Sequence, residues 1–126
     1  MQDVLRKLKF KSDGVILNSP AELLKEFTDL GFATSFDFPS KSRYTIVFIN
    51  NHKEFSEFLN NEMQSIEFDS ILWFAYPKGS SKIRTDINRD ILREAGAGYG
   101  ITTVAAICIN ETWSALRFRP AEMVGK

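Results

Sequence analysis

Short apolar runs rich in Val and Ile alternate along this chain with amphipathic segments of helical period, and no other feature restricts its fold as much. Gly14-Val-Ile-Leu-Asn18 reads as a strand and leads into Ser19-Pro20-Ala21-Glu22. There a Ser at the N-cap, a Pro at the first helical position and a Glu three residues past the cap make a capping box. Leu23, Leu24, Phe27 and Leu30 then share one helical face, and Gly31 stands where a helix ends. Tyr44 to Ile49 begins a second cycle: Asn51 with Glu54 makes another capping box, and Phe55, Phe58, Leu59, Met63 and Ile66 trace the next amphipathic helix. Ser70 to Tyr76 is almost wholly apolar, as in a strand buried on both faces.

Pro77 stops that strand and opens the loop Lys78 to Arg84, after which Thr85 or Asp86 is expected to cap a helix carrying Ile87, Ile91, Leu92 and Ala95. Gly96-Ala-Gly-Tyr-Gly100 ends this helix. It follows a helix and precedes a strand, the reverse of the order a phosphate-binding glycine loop requires. Thr102 to Ile109 and Trp113 to Arg119 are the last two strands, turned by Asn110-Glu-Thr112. At the other end, Val4, Leu5 and Leu8 mark a short first helix, followed by a turn at Ser12, Asp13 and Gly14.

The expected fold is therefore α/β: a Rossmann-like open, mainly parallel sheet with helices on both faces and a C-terminal antiparallel hairpin strand, residues 1–126 forming one domain. One joint resists this scheme. Ala33 to Phe38 reads as a strand, yet the five residues from Pro39 to Arg43 reach at most about 17 Å, barely one strand length. Either that strand is very short or it pairs antiparallel with the next.

Sixteen basic residues balance sixteen acidic ones, so no global field favours nucleic acid or anionic lipid. The longest apolar runs fall far short of the 18 or so residues that cross a bilayer, and the charged stretch Met1 to Lys11 is no signal peptide, so a cytoplasmic protein without nucleic-acid or membrane partners is expected. Cys108 is the only cysteine; its apolar setting, Val104 to Ile109, suggests a buried small hydrophobe. With His52 the only histidine, the usual zinc constellations cannot form, and no Ser-His nucleophile is indicated for Ser80, Ser81 or Ser114.

Tyr76-Pro77-Lys78, Ser80-Ser81, Thr85-Asp86, Arg89-Asp90 and Trp113-Ser-Ala-Leu-Arg-Phe-Arg-Pro120, read together, resemble a family of small bacterial proteins known only as a domain of unknown function. Asn18-Ser-Pro20 stands where that family often has a similar turn. The resemblance implies a small bacterial cytosolic α/β protein and supplies no activity. More distantly, the element order and terminal hairpin resemble the core of class I methyltransferases. This chain has Leu17-Asn-Ser-Pro-Ala-Glu22 in place of the glycine-rich cofactor turn, although Asp37 stands about where a ribose-binding acid would lie. No cofactor is expected.

Of the three helix starts that follow strands, two are expected to be filled by their own capping boxes, whereas the third lies beside Lys78, Ser80, Ser81, Lys82 and Arg84. Those cations and hydroxyls suit a phosphate, sulfate or carboxylate. Thr85 and Arg89 extend the set, and the period-two alternation of the last strand puts Trp113, Arg117 and Arg119 on one face as a second half of the clamp. Asp86 would compete for the same helix end. The resulting expectation is a non-catalytic module that binds a small anionic ligand or a protein partner. A methyltransferase-like enzyme using the same cleft is one alternative; an aromatic-rich subunit of a homo-oligomer is the other.

Overall fold

A computed structural model of the chain describes every residue except Met1, Asp13 and Phe38, and of Gln2 only the backbone. Asp13 of the expected turn and Phe38 of the expected strand thus lie outside the described residues. The elements run α1 (Gln2–Leu8), β1 (Val15–Leu17), α2 (Ala21–Asp29), β2 (Ser42–Phe48), α3 (His52–Asn61), β3 (Ile66–Pro77), α4 (Arg89–Ala97), β4 (Ile101–Cys108) and β5 (Trp113–Pro120). Five strands form one sheet in the order β1-β2-β3-β5-β4. β1, β2 and β3 pair in parallel, and β5 runs antiparallel between β3 and β4. The Rossmann-like architecture and its terminal hairpin therefore follow from the alternation in the sequence.

The sheet buries an apolar layer on each face. Leu23 and Phe27 of α2 join Leu8 of α1 over Ile16, Phe48, Trp73 and Trp113, while Phe55, Phe58 and Leu59 of α3 join Leu92 of α4 over Val47, Phe74, Leu116 and Phe118. Phe74 is the hub of the second layer, with ring centroids 4.8 Å from Phe55, 5.4 Å from Phe58 and 5.5 Å from Phe118, all edge-on. On the first layer the buried Trp73 indole donates to the Leu8 carbonyl and so ties α1 to the sheet.

Ala33 to Phe38 does not form the expected strand among its described residues. Ala33 alone makes a parallel bridge to Val15, on the side of β1 away from β2, through Ile16 N–H to Ala33 O and Ala33 N–H to Gly14 O. Phe36 then packs against Phe58 on the opposite face of the sheet from α2. The chain thus wraps around the outer edge of β1 before returning to β2, which removes the reach problem at residues 39–43. One consequence governs the site: the direction of strand addition reverses between β1 and β2.

Two helix starts differ from their sequence reading. α2 has Pro20 at its N-cap and no side-chain cap, because the Ser19 hydroxyl bonds to the neighbouring Pro20 carbonyl instead. α4 starts at Arg89 under Asn88, whose side chain accepts from Ile91 N–H, so Thr85 and Asp86 lie in the preceding loop. The second capping box does form at Asn51, although Glu54 reaches back to the Asn50 amide. Among the described residues no helix is long and apolar enough to cross a membrane.

Candidate functional site

The reversal between β1 and β2 opens a cleft at the carboxyl ends of the two strands, where ligands collect in open α/β sheets. Its volume is about 600 Å³, well within the range of small-molecule sites. Leu17 and Asn18 come from the end of β1, Val47 and Ile49 from the end of β2, and Thr34, Ser35 and Phe36 from the segment that wraps the edge. The third wall is α3, which contributes Glu54, Glu57, Phe58 and Asn61. Glu62 and Ser65 close the far end. Three carboxylates and no Lys or Arg line this space, so its local field is negative although the whole chain is neutral.

Asn18 organises the floor. Its backbone is left-handed, with φ 57°, a conformation that Asn tolerates better than most residues. The side-chain amide then donates to Phe48 O at 2.9 Å and to Glu54 Oε1 at 3.2 Å. Glu54 Oε1 also accepts from the Asn50 backbone N–H at 2.8 Å and from Asn50 Nδ2 at 3.2 Å. One carboxylate oxygen thereby joins the ends of β1 and β2 to the first turn of α3.

The residues expected to form an anion clamp are brought together only in part: the loop that starts at Lys78 adjoins Trp113, whose strand partner is Pro77, while Arg117 and Arg119 lie further along β5. Lys78 is half-buried, and its ammonium donates to Cys108 Sγ at 2.8 Å. Ser81 donates to the Lys78 carbonyl and accepts from Ile83 N–H, closing a local turn, while Ser80, Lys82, Arg84 and Arg89 are exposed. Thr85 donates to Asn50 O, and Asp86 accepts from His52 N–H at the start of α3. Cys108 is exposed rather than buried, because it lies at the end of the edge strand β4.

The strand half of the clamp divides further. Trp113 pairs with Pro77 at the carboxyl end of β3 and is 3% exposed, its ring packed edge-on to Phe48. Six residues along, about 20 Å by strand rise, Arg119 lies at the opposite end of the sheet. There it bonds to Asp69 through two donors, at 2.8 and 2.9 Å. Arg117 lies between, opposite Trp73; burial, with help from Arg119, pushes its guanidinium below the usual range. Asp37 lines a second hollow beside Ser12, Gly14 and Tyr44, which shares Ser35 and Phe36 with the cleft but not Asn18.

Among the described aromatic residues Phe68, at 65%, and Tyr99, at 42%, are exposed, and the other Phe rings fill or flank the two layers. Among the described residues no group of three His, Cys, Asp or Glu could hold a metal ion.

No protein-family model matches the chain, and no curated protein matches it. Solved structures do. A protein of Sulfolobus solfataricus provisionally assigned as a type 11 methyltransferase is similar over 99% of this chain and 82% of its own, with a TM-score of 0.52 and 10% identity. LepI in its complex with SAM (S-adenosylmethionine) is similar over 94% of this chain and 39% of its own, with a TM-score of 0.50 and 12% identity. The chain has the class I methyltransferase-like fold.

Proposed function

We propose that this protein binds a small molecule in the cleft between β1 and β2, and that the ligand carries net positive charge and hydrogen-bond donors. The observation that carries this reading is the cleft itself, set at the strand reversal and lined by Glu54, Glu57 and Glu62 with no basic side chain. A phosphate or free carboxylate entering there would meet repulsion without a guanidinium or ammonium to offset it.

S-Adenosylmethionine is the ligand of this type that the fold likeness suggests, since LepI has been solved with it. The donor set suits that molecule in three respects. Its sulfonium and ammonium outweigh its carboxylate, giving a net positive charge, its ribose hydroxyls need acceptors such as Glu57 or Glu62, and its adenine needs an apolar surface such as Phe36 and Phe58. A cytoplasmic location belongs to the same reading, and an exposed free thiol at Cys108 suits a reducing compartment.

Calorimetric and thermal-shift titrations with S-adenosylmethionine, S-adenosylhomocysteine and ATP test the proposal. The expected order is S-adenosylmethionine first, its uncharged thioether product weaker, and ATP without effect. Stabilisation by ATP alone, abolished in Lys78→Ala, would instead place the site at the loop after β3.

A further inference from the structure

Glu54 stands apart from the other carboxylates of the cleft in how it is held. Oε1 accepts three hydrogen bonds, from Asn18 Nδ2, Asn50 N and Asn50 Nδ2, whereas Oε2 has no partner among the described residues. Glu57, by contrast, is exposed and shared with Lys53 across 3.8 Å on the helix surface. Glu54 is also partly buried, and it lines the cleft beside Asn18. Three bonds at one oxygen fix the position of the carboxylate plane, so the second oxygen is a preorganised acceptor that needs no side-chain ordering when a donor arrives.

We infer that Glu54 Oε2 is the atom that sets ligand specificity in this cleft, reading a cationic or hydroxyl donor and rejecting anions; the inference rests on the cleft being the binding site. The requirement is chemical. A carboxylate is acceptor-only, so an ammonium or hydroxyl is satisfied there while a phosphate oxygen or carboxylate is left facing a like charge. Because Oε1 ties together β1, β2 and α3, an engaged Oε2 also holds the cleft walls in register.

Glu54→Gln separates the two roles of the side chain. The amide keeps one oxygen to accept from Asn18 and Asn50, and presents an N–H₂ donor where Oε2 stood. S-Adenosylmethionine and S-adenosylhomocysteine are titrated calorimetrically into the parent, Glu54→Gln and Glu94→Gln, the last an exposed carboxylate of α4 outside the cleft, with thermal melts run in parallel. The expected result is roughly tenfold or greater weakening of S-adenosylmethionine binding in Glu54→Gln with a melting temperature near that of the parent, and less than about twofold in Glu94→Gln. Equal affinity in the parent and Glu54→Gln overturns the inference while leaving the cleft reading intact. No binding of either probe to the parent overturns both. Should Glu54→Gln melt much earlier, Glu54→Asp, which keeps the charge but shortens the reach, decides: the inference requires it to lose affinity while retaining the preference for the sulfonium, and loss of that preference overturns it.

Discussion

Arg119 holds Asp69 through a two-pronged ion pair at the end of the sheet remote from the cleft, and a bulge puts Asp69 in reach. Between the pairs Ser42↔Ile66 and Tyr44↔Ile71, β3 spends five residues against two on β2. Asp69 sits inside that excess with a left-handed backbone, φ 54°. The hydrogen bonds from Arg119 keep its carboxyl below the usual carboxylate range, against the opposing effect of burial.

That pair gives the fold a defined acid dependence. A carboxyl whose folded pKa lies below its unfolded value of about 3.9 stabilises the folded state fully above that value. The contribution disappears as pH falls through the lower folded pKa. Asp69→Asn should therefore melt below the parent at neutral pH and converge towards it in acid, once the pH has fallen below the ordinary carboxylate range. Parallel melting curves across that range would show that the pair contributes nothing.

Gly14 precedes β1 where the backbone passes close to β2. A Cβ at this position would lie 2.7 Å from the Tyr44 Cβ and nearer still to the Tyr44 carbonyl oxygen, neither of which can swing away. Gly14→Ala should cost at least about 1–3 kcal/mol in urea unfolding, the range for overpacking. Gly79→Ala, which meets nothing within 4 Å, should stay close to the parent.

The limits of sequence reading here have physical causes. Period and capping exposed the layers: Leu23 and Phe27 of α2, and Phe55, Phe58 and Leu59 of α3, all face the core as their spacing implies. Helix starts were less legible, since Ser19 could bond to Pro20 O as readily as to a helix amide, and Asn88 competed with Thr85 and Asp86 for one cap. The cleft left almost no linear trace. It depends on Ala33 bridging the outer side of β1, and one bridge residue has no pattern to detect. Asn18 at the end of β1 and the Asn51-to-Glu54 box were visible signals, but not that Asn18 and Glu54 would meet across 36 positions. Arg119 likewise found Asp69, 50 residues away, through a bulge that alternation cannot foresee.

Phe74 and Phe68 give opposite outcomes for the same residue type on one strand. Phe74 is wholly buried among three edge-on rings, so Phe74→Ala should cost about 3–5 kcal/mol through lost transfer energy and a cavity. Phe68, 65% exposed, should change stability by less than about 0.5 kcal/mol when truncated to Ala. Chemical denaturation of the two variants side by side checks the placement of the two rings, Phe74 in the covered middle of β3 and Phe68 at its exposed start; equal losses would overturn it.

Asp86, whose position in the sequence suggests a cap for the helix that follows it, serves α3 instead. Its carboxylate accepts from His52 N–H at the first turn of α3, 34 residues earlier, while the adjacent Thr85 hydroxyl donates to Asn50 O. The two bonds dock the loop after β3 onto the same β2–α3 junction that carries Asn50 and Glu54. Removing the acceptor leaves one α3 amide unpaired at a positive helix end, so Asp86→Ala should cost about 1 kcal/mol. Limited proteolysis should then cut faster between residues 78 and 88, since that segment loses one of its two anchors to α3. Asp86→Asn, which keeps an acceptor oxygen, should recover most of the protection; equal cutting in the parent, Ala and Asn proteins would mean that the loop is held by its backbone alone.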